Sequence, residues 1–243
     1  MILATVRSQL GRNDAQLALR LIARGSAVEL ERAEGVLRDR GLDALLDDPG
    51  LPSALARNPQ AAHASLPLFM YVVVRHALRR VGEEDRGIAD YVASILVHFG
   101  LRERAHRIAA SDDEVYDTLA QLFGDVESAD PRRSFLVRVH LGNYALWLSG
   151  LFPDFIERRR WRRGGPDLDY YEEMGRLGFR LAAGHRLAAE HGLAPLFTLA
   201  AESFPTLRVA LNDVSDSVLF PGVSSPERLM RQVTSEARWR RLS

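Results

Sequence analysis

The sequence predicts an all-α protein, a single multi-helix bundle with two or three fully buried central helices surrounded by amphipathic ones. Three observations carry this reading. Apolar residues fill 47% of the 243 positions, enough to build a core of ordinary size. Helix-start signatures recur along the chain, and runs with helical periodicity end on glycine. No stretch alternates apolar and polar residues as a strand would, and no hairpin turn joins two β-branched runs.

The elements follow in order. Ser26 with Glu29, Ser111 with Glu114 and Asp169 with Glu172 have the spacing of a capping box, in which each side chain answers the other residue's free N–H. Asp130-Pro131 and Ser225-Pro226 put a capping side chain before a proline whose missing N–H does no harm in a first turn. Gly25, Gly41, Gly100, Gly124 and Gly192 supply stops. These signals predict helices over 14–24, 26–40, 66–81, 86–99, 101–109, 112–123, 131–151, 169–191, 193–203 and 226–241, with shorter turns over 43–47, 51–57, 154–161 and 206–214. Three helices carry segments apolar on every side and belong in the middle: Leu66 to Val74, much of Ile88 to Phe99, and Phe135 to Phe152. The helix over 169–191 is amphipathic, with Tyr170, Met174, Leu177, Leu181, His185 and Ala188 as its stripe. Gly142, Ala145 and Ser149 recur at helical spacing and leave a shallow groove for another helix, either within the chain or from a second copy in a homo-oligomer. Turn-rich residues divide the chain into an N-terminal hairpin (1–47), a main bundle (64–219) and a C-terminal helix (226–243).

Composition excludes a good deal of chemistry. All 32 basic residues are arginine, and cysteine is absent. Without lysine there is no Schiff base and no Walker-type phosphate lysine. Without cysteine there is no thiol nucleophile, no Cys-ligated zinc and no disulfide. The 32 acidic residues cancel the basic ones, so attraction to a polyanion must come from a local patch. Residues 1–12 lack the apolar run of about 7–15 residues that a secretory signal requires. The longest charge-free apolar stretch, Leu141 to Pro153, is short of the ~20 residues that span a bilayer. A cytoplasmic protein is expected.

Three sets of residues are candidates for function. The central helices carry Arg75, His76, Asp90, His98, Arg138, His140 and Asn143, and burying charges unpaired is costly, so these groups are expected to meet one another, Asp90 with Arg75 or Arg138. They form either a satisfied core network or a pocket whose histidines bind a ligand or move a proton. The acids Asp112-Asp113-Glu114 and Asp117 resemble in composition the Asp-rich motif of all-α isoprenoid enzymes. They lack its spacing, and Phe220 stands where the second motif needs an acid, so Ser111 to Glu114 reads as a helix cap. The third set is Arg158, Arg159, Arg160, Trp161, Arg162 and Arg163, echoed at the other end by Arg238, Trp239 and Arg240. Arginine beside tryptophan is enriched at binding hot spots and also suits phosphate or headgroup surfaces. Tyr144, Trp147, Tyr170 and Tyr171 are core aromatics or the lining of a cavity.

With no recognisable catalytic constellation and no cofactor or metal motif, the sequence points to a non-catalytic helical binding protein, an adaptor or accessory subunit acting on a protein partner through its Arg/Trp segments. The alternatives are an enzyme or small-molecule or metal binder with a polar pocket between the central helices, and a protein that binds nucleic acid or an anionic membrane through the arginine clusters.

Overall fold

The computed structural model describes residues 5–100, 104–108, 114–223, 225–229 and 231–232, and among them the only regular structure is helical. The all-α class is as the sequence predicts. The chain divides into two compact units, residues 1–105 with 109–111, and 106–108 with 112–243.

The first unit is built from α1 (Arg12–Ala23), α2 (Ala27–Leu46), α3 (Leu51–Arg57), α4 (Leu66–Arg80) and α5 (Arg86–Phe99). Ser26, Ser65 and Asp85 cap α2, α4 and α5 by accepting the N–H three residues on. Gly41 takes φ 80°, which breaks α2 where a stop is expected, but the helix resumes beyond it and absorbs 43–47. Two of the helices read as apolar all round, α4 and α5, pair along their length, with Val72, Val74, Leu78, Ile88, Val92 and Ala93 fully enclosed. Residues 51–57 form a helix rather than a turn, because Leu51 and Leu55, one turn apart, both bury.

The second unit is built around α7 (Pro131–Leu151), whose bounds are those predicted. Packed with it are α6 (Leu119–Gly124), α8 (Pro153–Arg163), α9 (Leu168–Ala183), α10 (Arg186–Glu190), α11 (Ala194–Glu202) and α12 (Phe204–Val214). The groove at Gly142 and Ala145 is filled from within the unit, by α9. A methyl on Gly178 would stand 2.6 Å from the Gly142 nitrogen, and one on Gly175 would stand 3.0 Å from Ala145 Cβ and 2.2 Å from the Phe204 ring. The buried face of α9 is accordingly Tyr171, Gly175, Gly178, Phe179 and Ala182, one step round from the stripe that hydrophobicity alone selects. At the other end of α7, Leu211 of α12 lies over Gly150, 2.8 Å from where a methyl would be. Asn212 then donates to the carbonyls of Ser149 (2.8 Å) and Gly150 (2.7 Å), and the Ser215 hydroxyl to that of Leu151 (2.7 Å). These are carbonyls of the last turn, which have no helical partner of their own.

Several expected boundaries move, each for a visible reason. Of the helix expected over 101–109, residues 104–106 make a single 3₁₀ turn, and 101–103 and 109 lie outside the described residues. Residues 114–117 are not helical. Tyr116 instead donates its backbone N–H to the His106 carbonyl while its own carbonyl meets the His106 side-chain Nδ1, and α6 starts at Thr118, which forms a reciprocal capping box with Gln121. Ser111, Asp112 and Asp113 lie outside the described residues, and the first turn of α9 is capped by Asp167, not Asp169. The helix expected to run to 191 breaks at Gly184, where His185 accepts the Leu187 N–H and starts α10. The segments 154–161 and 206–214, read as turns, are α8 and α12. Phe204, Leu207 and Leu211 bury one face of α12, and the polar Arg208 and Asn212 that interrupt its apolar pattern are themselves buried. The final helix begins after Ser225, which accepts the Arg228 N–H, and residues 226–229 and 231–232 are helical.

Glycine substitutions separate contact from propensity. Gly178→Ala drives a methyl into a backbone that cannot yield and is expected to cost about 3 kcal/mol. Gly35→Ala, in the body of α2 with open space around it, is expected to stabilise by roughly 0.5–1 kcal/mol. Urea unfolding of the two variants against wild type checks both. Equal effects would mean that α7 and α9 are not in backbone contact.

Candidate functional site

Of the polar residues expected inside the central helices, Arg75, His76, Asp90 and His98 belong to the first unit. Arg75, 2% exposed, donates to Asp47 (3.0 Å), to the Glu84 carbonyl (2.9 Å) and to the Glu84 carboxylate (3.1 Å). Arg86 closes on the same Asp47 at 2.6 Å. Burial raises the Asp47 pKa, but the hydrogen bonds from Arg75 and Arg86 outweigh it and hold this carboxyl below the usual carboxylate range. Asp90 does not pair with Arg75. Its carboxylate accepts the backbone N–H of Arg7 (2.9 Å), and burial keeps its pKa raised. The chain's N-terminal segment, absent from the expected pairing, is therefore what satisfies Asp90, with Ser94 accepting the neighbouring Val6 N–H at 3.2 Å. Arg7 is held in turn by Asp43. His76 Nε2 lies 2.9 Å from the Leu46 carbonyl, and burial lowers its pKa. His98 is half-buried against Phe99.

The remaining three belong to the second unit. Arg138 donates to the carbonyls of Val126 (3.2 Å) and Leu181 (3.3 Å), tying the turn after α6 and the end of α9 to α7. His140 is 1% exposed and stacks on Tyr144, with ring centroids 6.1 Å apart, and Asn143 is equally enclosed. Arg75, Asp90 and Arg138 thus each tie a loop or terminus to a helix.

The arginine–tryptophan segment is the outer part of α8. The root of this helix is fixed: Ile156 is buried, and Asp154 joins a set of four alternating charges that the sequence reading missed. Arg228 bonds Asp154 (3.1 Å) and stands 3.3 Å from Asp216, while Arg231 bonds Asp154 (3.0 Å) and Asp216 (2.9 Å). The 74 residues between Asp154 and Arg228 hid this pairing from the sequence. Outward from that root, Arg158, Arg159, Arg160, Trp161, Arg162 and Arg163 are all exposed, Trp161 by 78%, before Gly164 ends the helix at φ 62°. Arg160 reaches Glu157 at 3.8 Å, whereas Arg158, Arg159, Arg162 and Arg163 make no ion pair with any described carboxylate. Arg238, Trp239 and Arg240 lie outside the described residues.

Beside α8 the aromatics do line a cavity. Tyr144, Trp147 and Leu148 of α7, Phe152, Phe155 and Arg159 of α8 and its approach, Pro166, Tyr170 and Tyr171 of α9, and residues 117–120 with His106 enclose about 480 Å³. Tyr144 and Trp147 are stacked at 6.0 Å, and Trp147 meets Phe152 edge-on at 4.9 Å. His106 Nδ1 lies 3.1 Å from the Tyr116 carbonyl, 3.4 Å from the Tyr144 hydroxyl and 3.7 Å from Asp117. The shorter contact to a carbonyl, which can only accept, places the proton of the neutral ring on Nδ1. Burial pushes the Tyr144 hydroxyl up to about 12, so it stays a neutral donor, and burial raises Tyr171 in the same sense.

Among the described residues no three His, Asp or Glu side chains are grouped so as to hold a metal ion, and no helix is long and apolar enough to cross a membrane. No protein-family model, curated protein or solved structure matches the chain.

His76 gives a pH test. Above about pH 7.5 it is neutral folded and unfolded. As pH falls through about 6.5, the unfolded chain takes up a proton that the buried ring refuses, so stability is lost. The urea midpoint is therefore expected to fall between about pH 7.5 and about pH 5.5, above the carboxylate range. His76→Gln, which keeps a donor toward Leu46, is expected to flatten that slope, leaving the part due to His185, whose pKa burial also lowers. An unchanged slope would show that His76 takes up its proton in the folded state.

Proposed function

We propose that this is a non-catalytic binding protein whose helix α8 engages an acidic surface on a partner protein. The observation that carries the reading is the outer part of α8. Several arginines elsewhere, though not Arg12, Arg20, Arg38 or Arg57, are drawn into ion pairs: Arg7 with Asp43, Arg75 and Arg86 with Asp47, Arg133 with Glu114, Arg208 with Glu172, and Arg228 and Arg231 with Asp154. On α8 the charges of Arg158, Arg162 and Arg163 meet no described carboxylate and surround a largely exposed tryptophan. Arg158, Trp161 and Arg162 stand three and four residues apart and so share one face. An arginine pair flanking a tryptophan offers guanidinium forks to carboxylates and a flat apolar surface between them, the composition of a binding hot spot. The helix is rooted by Ile156 and by the Asp154 ion set, so presenting this face costs little ordering of the backbone on binding.

The test is affinity capture from the host's own extract, with and without nuclease and detergent. Wild type is compared with a variant carrying Arg158→Gln, Arg160→Gln, Trp161→Ser, Arg162→Gln and Arg163→Gln. Arg159 is kept because it lines the cavity. A polypeptide is expected that survives nuclease and detergent, is shed on raising salt from about 0.1 to about 0.5 M, and is lost from the variant while its circular dichroism is unchanged. A partner retained by the variant overturns the reading. Loss on nuclease or detergent alone overturns it in favour of nucleic acid or lipid.

A further inference from the structure

We propose that the aromatic cavity of the second unit is a binding site for a small aromatic carboxylic acid, with Arg159 as the anion's partner and the rings of Tyr144, Trp147 and Phe152 as its apolar wall. This is a different site, and a different class of ligand, from the outer face of α8. The volume of about 480 Å³ falls within the ~300–1,000 Å³ of small-ligand sites. The composition is that of such sites as well: mostly apolar walls with a few converging polar groups.

The charge pattern selects the ligand. Arg159 is exposed, meets no described carboxylate and lines the cavity together with Tyr144 and Tyr171. One cation and two phenol donors thus converge within the lining. Both phenols resist ionisation because they are buried, so each offers a proton and adds no negative charge of its own. A carboxylate bound there would accept from all three. The one acid in the lining, Asp117, stands 3.7 Å from the His106 ring. The ring ladder gives the rest of the ligand its shape. Tyr144 and Trp147 lie within 19° of parallel, and Phe152 turns edge-on to close one end, so a flat apolar group has a flat wall to lie against. A cationic ligand would suit the rings equally well but would face Arg159, and a purely apolar one would leave the guanidinium and the phenols without an acceptor.

Trp147 is the natural reporter. The chain has three tryptophans, so Trp161→Phe with Trp239→Phe leaves it alone. In that background the quenching of Trp147 is titrated with hydrocinnamate, with hydrocinnamyl alcohol and with the corresponding amine, which share one ring and chain and differ in the head group. The acid is expected to bind about tenfold more tightly than the alcohol, with the amine weakest. Arg159→Gln, at an exposed position of α8, is expected to remove the advantage of the acid and leave the alcohol's affinity unchanged. Tyr171→Phe is expected to weaken the acid by a smaller factor. The proposal is overturned if none of the three quenches Trp147, if the amine binds best, or if Arg159→Gln leaves the ratio of acid to alcohol as it was.

Discussion

The second unit depends on how closely two helix backbones can approach. Where Gly142 faces Gly178, no side chain stands between α7 and α9, and the Phe179 ring lies where a β-carbon on Gly142 would be. Close approach gives many weak atom–atom attractions along the contact, and any methyl inserted there must push a backbone aside. It also sets the positions of everything attached to either helix. Tyr144 and Trp147 project from α7, and Tyr170 and Tyr171 from the first turns of α9, so the distance between the two helices sets the width of the aromatic cavity.

A second constraint operates at the end of α7. A helix that stops inside a core leaves carbonyls with nothing to bond, at a cost of about 1–3 kcal/mol for each one left unsatisfied. Here α12 answers with Asn212 and Ser215, and Arg208 fixes Asn212 by donating to its amide oxygen (3.2 Å) while pairing with Glu172 of α9. One polar chain thus runs from α9 through α12 to the end of α7. The first unit uses the same device: Asp90 and Ser94 receive the backbone of residues 6 and 7, and Asp47 gathers Arg75 and Arg86. Buried polar groups in both units serve backbone ends and loops.

What was legible in the sequence follows from this. The bounds of α4, α5 and α7 could be read because caps and apolar runs coincide there, and the groove at Gly142 and Ala145 because small residues recur at helical spacing. The face of α9 was displaced by one residue because its innermost positions are glycines, which carry no hydrophobic signal. Helices α8 and α12 read as turns because the outer half of one is arginine and the inner face of the other carries Arg208 and Asn212. Tyr144, Trp147, Tyr170 and Tyr171 were visible as aromatics. The residues that complete their cavity, His106, Asp117 and Arg159, come from distant stretches that no local pattern connects.

The four-charge set at the root of α8 bears on the order in which the protein is finished. Asp154 leaves the ribosome 74 residues ahead of Arg228, an interval of roughly 4–15 s at ordinary elongation rates. For that time Asp154 is a carboxylate without its guanidinium partners, joined by Asp216 only for the last 12 residues, while the buried Ile156 already fastens α8. Closure of this corner therefore waits on translation of Arg228 and Arg231, and a chain cut short before Arg228 would leave two acids facing no guanidinium at the base of the exposed arginine–tryptophan segment.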